Sequence, residues 1–183
     1  MAHASPIWPA PILILSGPPG AGKTTVARIL AETSPTPAVH LHTDDFFTAI
    51  KSGFIAPWLP ESSAQNATIS RVIAAAAVAY AQGGYAVYVD GVVGPWFLDT
   101  YREAASAAGV TLSYLVLRAA RETVVAGARD REVGPLAHYP PNIFEGFATL
   151  GPLEAHALET TGMTVEAVLD AVRAGEESDR FRL

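Results

Sequence analysis

Eight consecutive residues constrain this chain more than any others: Gly17-Pro18-Pro19-Gly20-Ala21-Gly22-Lys23-Thr24. They fit G-x-x-x-x-G-K-[ST], the phosphate-binding P-loop. The apolar run Ile12-Leu13-Ile14-Leu15-Ser16 ahead of them suits a buried parallel strand. After them, Thr25 to Glu32 sets apolar residues at helical spacing. Strand, glycine-rich turn and helix is the setting the motif requires. Gly17, Gly20 and Gly22 reach backbone conformations closed to residues with a Cβ, so successive N–H groups turn inward as an anion nest. Pro18, Pro19 and Ala21 complete the loop. The helix begins at the nest and adds its unpaired N–H groups and positive dipole end. Lys23 brings a mobile charge to the β- and γ-phosphates of ATP, and the Thr24 hydroxyl is placed to ligate Mg²⁺. Thr25 borders the same phosphate site, with capping or packing as its other role.

The anion has to be held by such a local device. Net charge is −6, and the only lysines are Lys23 and Lys51. No basic nucleic-acid footprint is present. With 183 residues, 50% of them hydrophobic and 16% charged, the chain reads as one domain with a sizeable core. It has no cysteine, which excludes disulfides and thiolate metal sites. Residues 1–11 contain three prolines and no basic region, unlike a signal peptide. Apolar stretches fall short of the about 18 residues a membrane span needs. A cytoplasmic protein, monomeric or homodimeric, is the expectation.

Along the chain, residues 1–11 are expected to be an irregular lead-in. Ala38 to Thr43 predicts a second strand and Asp44 to Lys51 a short helix. Ser62-x-x-Gln65 matches a capping box and opens a helix to Gln82, whose alanine-rich run Val72 to Tyr80 is expected to be buried on much of its circumference. Tyr85 to Asp90 is a third strand, Phe97 to Ala108 a helix and Val110 to Leu117 a fourth strand. Arg121 to Ala128 and Ile143 to Leu150 are expected to be helical. Ala157 to Thr160 is a short last strand, and Thr164 to Ala174 the closing helix. Residues 175–183 are expected to fray. This alternation argues for a parallel α/β sheet with right-handed crossovers. Ligands of such sheets sit at the carboxyl ends of the strands. The P-loop, Asp44, Asp90 and Arg118 each follow a predicted strand, so they should gather along one edge.

Asp44 and Asp45 can cap a helix. Alternatively, one of them accepts the proton of a substrate hydroxyl as it attacks the γ-phosphate, while the other contacts substrate, caps or holds Mg²⁺ through water. Asp90 ends an apolar strand, as a carboxylate that ligates Mg²⁺ does; it could also bind substrate or simply open the Gly91 turn. Arg121 is a candidate for nucleotide binding. Arg129 and Arg131 open a Gly/Pro-rich charged stretch, residues 129–142, expected to be a lid that brings arginine to the phosphates. The histidines show no metal-ligand spacing and are taken as structural. Phe46, Phe47, Trp58 and Trp96, with Asn66, Asp45 and Gly91, suggest a largely apolar substrate pocket, against the alternative of ordinary core packing.

With these motifs the chain resembles the small P-loop kinases of the nucleoside-monophosphate-kinase type, over about residues 12–174. The pattern is closest to chloramphenicol phosphotransferase-like and zeta-toxin-like phosphotransferases. Thr43-Asp44-Asp45-Phe46 matches the place of their catalytic aspartate, which implies Asp44 as the base. Val116-Leu117-Arg118, the Arg-bearing lid and Glu159-Thr160-Thr161-Gly162 also fit; the last stretch implies Thr161 and Gly162 near the adenine. The resemblance implies a three-layer P-loop fold, a five-stranded parallel sheet of order 2-3-1-4-5 and a small lid. It also implies transfer of the γ-phosphate of ATP to a small hydroxyl compound. The chain lacks the Asp-x-Asp of shikimate kinases and the Gly-Asp…His-Pro of gluconate kinases. Residues 90–97 match none of these subfamilies.

The expected function is therefore an ATP-dependent kinase of a small molecule. A regulatory nucleotide-binding ATPase and a toxin-type kinase of nucleotide sugars are the alternatives. The acceptor site is expected between segments 44–66 and 91–97, whose only Lys or Arg is Lys51. So poor a supply of cations favours an uncharged, partly apolar alcohol over a phosphorylated one, an antibiotic-like molecule slightly ahead of a simple sugar.

Overall fold

The computed structural model describes residues 9–120 and 140–183. Five strands form one sheet: β1 (Ile12–Ser16), β2 (Ala38–His42), β3 (Ala86–Asp90), β4 (Leu112–Arg118) and β5 (Ala157–Glu159). Their order is β2-β3-β1-β4-β5, and every pairing is parallel. The described helices are α1 (Lys23–Glu32), α2 (Thr43–Thr48), α3 (Ser63–Gln82), α4 (Leu98–Ala107), α5 (Pro141–Glu145) and α6 (Val165–Glu177). The sheet order is the expected one. Among the described residues no helix is long and apolar enough to cross a membrane.

All five residues of β1 are buried because both sheet faces are covered. Ile12 and Ile14 join a core built with α3 and α4, and Leu13 and Leu15 join a second core with α1 and α6. The strand therefore reads as a continuous apolar run without polar alternation.

Four local expectations are corrected. α3 buries one face only: Ile69, Ile73, Ala74, Ala77 and Ala81 are buried, while Val72 and Tyr80 are 47% and 43% exposed. An alanine run carries no stripe that would reveal this face. The capping box is not formed. Ser62 Oγ donates to the carbonyls of Pro57 and Leu59, and the Gln65 side chain pairs with the backbone N–H and carbonyl of Ile55. Both side chains thus brace the 55–62 turn. The helix expected over 143–150 is instead the short α5, which ends before Gly146 and is followed by a turn.

The fourth correction concerns the C-terminus. α6 continues to Glu177, and Phe181 is fully buried, its ring lying so close to Gly175 that a Cβ there would collide with it. Tyr114 N–H donates to the Phe181 carbonyl at 2.8 Å, and Leu183 N–H to that of Leu112 at 3.0 Å. β5 pairs only with Val116–Arg118. The tail covers the part of the β4 edge that β5 leaves open, and covering an edge protects its backbone groups from foreign pairing.

Near that end, burial raises the Glu176 carboxyl from 4.5 to about 7, against the pull of Arg173. The Tyr88 phenol is pushed up to about 12, first by its own burial and then by the negative charge of Glu176. An acid whose pKa rises on folding favours the native state below its unfolded pKa and loses that contribution as pH climbs through the folded value. Glu176→Gln is therefore expected to raise stability at pH 8 by about 1–2 kcal/mol after allowance for partial exposure. At pH 5 the effect should be much smaller. Denaturant unfolding at the two pH values checks this; equal shifts at both would exclude a titrating Glu176.

Candidate active site

β1 delivers the chain to the P-loop, and a parallel sheet brings the ends of β2 and β3 to the same edge. In the loop, Gly17, Gly20 and Gly22 take φ values of 137°, 85° and 82°. At Gly17 a Cβ would also collide with the Leu117 carbonyl. Gly22 caps α1 without a side-chain bond, and the first turn of α1 holds no acidic residue. The helix end is thus left to an anion. Pro18 and Pro19 are buried, Ala21 is half-buried, and Thr25 is exposed on the first turn. Lys23 is 3% exposed, and its Nζ donates to the Pro18 carbonyl at 2.9 Å.

Asp90 is fully buried at the end of β3. Thr24 Oγ1 donates to its Oδ2 at 2.6 Å. From β2, His40 Nε2 bonds to Oδ1, and His42 Nδ1 lies 3.0 Å from Oδ1 and 3.2 Å from Oδ2. Burial by itself would raise the Asp90 carboxyl. Hydrogen bonds from His40, His42 and Thr24 overcome it and hold the pKa well below the usual carboxylate range. The bond to Asp90 in turn raises the pKa of His42 against its burial. His42 Nε2 lies 3.7 Å from Asp44 Oδ2, so this imidazole stands between the two aspartates.

His40 and His42, structural by the sequence alone, both hydrogen-bond to the Asp90 carboxylate. A signal existed. Residues i and i+2 of a strand share a face, and the order 2-3-1-4-5 sets β2 beside β3. The observed register pairs His42 with Asp90.

Beside Asp44 a cavity of about 90 Å³ is lined by Thr43, Asp44, Phe47, Pro57, Trp58, Asn66, Val92, Trp96, Phe97 and Ile143. Its position between segments 44–66 and 91–97 is the expected one. The 91–94 loop is pinned there. Ser16 Oγ and the Tyr114 hydroxyl donate to the Val93 carbonyl at 2.6 and 2.8 Å. Trp96 is 56% exposed and packs 6.1 Å from Phe147, ring centre to ring centre.

Three residues expected to contact substrate do not line this cavity. Asp45 is exposed and Phe46 packs against the core, because on the short α2 only one side faces the cavity. Gly91 is buried against Thr43, where any Cβ would collide with the threonine side chain. Its smallness serves packing.

A larger cavity, about 470 Å³, opens beside Pro18 of the P-loop, lined also by Arg118–Ala120, Phe144, Glu145, Phe147, Ala148, Glu159 and Thr161. Thr161 Oγ1 accepts from Ala120 N–H at 2.7 Å. Gly162, with φ 74°, turns the chain just beyond it. Arg118 is committed to structure: it bonds to Glu159, to Glu154 at 2.5 Å and to the Ala148 carbonyl at 3.0 Å. The remaining arginines Arg121, Arg129 and Arg131, the expected helix from 121 and nearly all of the expected lid lie outside the described residues.

A family described as AAA domain matches residues 12–136 of the chain. The chain belongs to this AAA-domain family. No curated protein matches it. Among solved structures this AAA domain is similar to a sugar kinase from Janibacter sp. HTCC2649, with 18% identity and a TM-score of 0.68, over 93% of this chain and 95% of that one. A second is the tunicamycin resistance protein of Deinococcus radiodurans, with 17% identity and a TM-score of 0.63, over 91% and 95% of the two chains. A third is the Mycobacterium tuberculosis APS kinase CysC in complex with AMPPNP and APS, with 18% identity and a TM-score of 0.63, over 92% and 98%. At these identities the likeness establishes the shared fold, that of P-loop kinases.

Proposed function

We propose that this AAA domain is an ATP-dependent phosphotransferase that moves the γ-phosphate to a hydroxyl of a compact, uncharged molecule. The observation that carries this reading is the position of Asp44. It lines a small, largely apolar cavity and stands on the same sheet edge as the P-loop and Asp90. The kinase fold of the similar structures supports the same class.

In this reading the P-loop amides and Lys23 hold the β- and γ-phosphates, and the larger cavity beside Pro18 and Thr161 takes the base. Thr25 borders the phosphates. Thr24 and Asp90 offer neighbouring hard oxygen ligands, the donor type that Mg²⁺ takes together with phosphate oxygens. Bound there, Mg²⁺ would neutralise phosphate charge. His40 and His42 hold the Asp90 carboxylate in place. Asp44 accepts the acceptor's hydroxyl proton as the alcohol oxygen bonds to the γ-phosphorus and the bond to the ADP oxygen breaks. Phe47, Trp58 and Trp96 form the walls, and Asn66 is a polar contact. Arg121, Arg129 and Arg131 keep their proposed roles at the nucleotide and lid.

The volume, about 90 Å³, is well below the roughly 300–1,000 Å³ of pockets for drug-sized ligands. A compact polyol or cyclitol therefore moves ahead of an antibiotic-like acceptor. None of the described lining residues is Lys or Arg, which disfavours acceptors that already carry phosphate.

The test is ADP release with ATP and Mg²⁺ across sugars, cyclitols, nucleosides, antibiotics and nucleoside monophosphates. Stimulation by neutral alcohols is expected, and Trp96→Ala should then raise the acceptor KM while leaving the ATP KM near wild type. Efficient phosphorylation of AMP, CMP or UMP would overturn the acceptor assignment. Hydrolysis indifferent to every acceptor would favour the regulatory ATPase.

A further inference from the structure

One residue that lines the cavity beside Asp44 carries a polar atom that the fold leaves unsatisfied. Asn66 is 7% exposed, and its side-chain N–H₂ donates to the Pro57 carbonyl at 2.7 Å and to Ser62 Oγ at 2.9 Å. A carbonyl only accepts, so the Pro57 oxygen must face the N–H₂ end. Turning the amide over would set two acceptors against each other. Ser62 Oγ is engaged as well, its proton directed to the carbonyls of Pro57 and Leu59 at 2.8 and 2.7 Å. The orientation of Asn66 is therefore decided by its partners, and Oδ1 is left on the opposite side of the amide from the Pro57 carbonyl. Among the described residues, Asn66 Oδ1 is the one buried side-chain nitrogen or oxygen with no hydrogen-bond partner. Asn66 itself lines the cavity, together with Asp44.

Buried polar atoms are nearly always paired, and an exception calls for a cause. Resting on the reading of this cavity as the acceptor site, an alcohol bound beside Asp44 gives its hydroxyl proton to that carboxylate. One hydroxyl carries one proton, so it cannot also satisfy Asn66 Oδ1. We propose that Asn66 is a specificity-determining residue, whose Oδ1 takes a hydrogen bond from a second donor, an O–H or N–H, on the acceptor alcohol. The substrate class is thereby narrowed to diols, polyols and amino alcohols. A plain alcohol of the same shape would bury Oδ1 unpaired, and sites that hydrogen-bond a substrate group strongly reject analogues that lack it.

Cyclohexanol, trans-cyclohexane-1,2-diol and trans-2-aminocyclohexanol share a ring and differ in the second donor. With the full chain, ADP release in the presence of ATP and Mg²⁺ gives kcat/KM for each. Binding is read separately from the side-chain amide resonances of Asn66 in ¹H–¹⁵N spectra. The expected result is a preference of about 10–100-fold for the diol or the amino alcohol over cyclohexanol, with displacement of the Asn66 resonances by the preferred compound only. The diol and amino alcohol arms distinguish an O–H from an N–H donor. In Asn66→Ala, with folding checked by thermal unfolding, the preference should collapse towards one. Should that variant not fold, the three-alcohol comparison on the wild-type protein decides alone. Equal use of all three alcohols, binding of none, or an undiminished preference in a folded Asn66→Ala overturns the proposal. Equal use would leave phosphotransfer standing. Donor-selective binding without ADP release would instead sink phosphotransfer and keep the role of Asn66.

Discussion

Lys23→Ala is expected to reduce ATP turnover by about 10²–10³-fold. The ammonium is buried in a loop whose backbone is already shaped as an anion nest by positive φ at Gly17, Gly20 and Gly22. Its Nζ is held by the Pro18 carbonyl, a neutral oxygen within the same loop. Triphosphate oxygens, being charged, are better partners for an ammonium, and their negative charge grows at the leaving oxygen as the γ-phosphoryl departs. Loss of one such donor from a water-poor site costs about 3–4 kcal/mol of transition-state stabilisation. Lys23 lies at the first turn of α1, and thermal unfolding of Lys23→Ala, set beside the kinetics, separates a loss of chemistry from a loss of fold. Single-turnover kinetics measure the effect. Turnover close to wild type in the folded variant would remove the P-loop lysine from the chemistry.

The second large effect is expected at Asp44. Asp44→Asn should lower phosphoryl transfer by about 10²–10⁴, the range for a general base, with ATP binding nearly unchanged. Asp45→Asn should change little, since Asp45 is exposed and Asp44 lines the cavity. Asparagine keeps the shape of the aspartate and removes its capacity to take a proton, so a loss confined to kcat identifies the base. Reversed effects of the two substitutions would move that role to Asp45. His42 lies close to Asp44 and is anchored on Asp90, so the orientation of Asp44 is tied to the same carboxylate that bonds Thr24.

Much of this arrangement follows from short stretches of sequence. The P-loop is contiguous, and its glycines, Lys23 and Thr24 act through the backbone next to them. Asp44 and Asp90 were placed at the ligand edge because a residue that follows a strand of a parallel sheet sits at that edge whatever else surrounds it. Even the region of the cavity beside Asp44 could be inferred, since segments 44–66 and 91–97 both follow strands.

What only the tertiary structure decided is which side chain meets which. His40 and His42 read as two ordinary strand histidines until β2 is set beside β3 in a register that brings both onto Asp90, 50 and 48 positions away. Ser62 and Gln65 have the spacing of a capping box, yet the returning 55–62 turn offers their side chains better-placed backbone partners. Phe46 and Phe47 are equivalent in sequence, and the rotation of the short α2 sends only Phe47 to the cavity. The polar tail was expected to fray, and Phe181 docks because β5 is too short to cover β4. Local pattern determines where a backbone can go and which groups stand at a sheet edge. The pairing of side chains depends on register, rotation and free edges, which are set by packing between segments far apart in the chain.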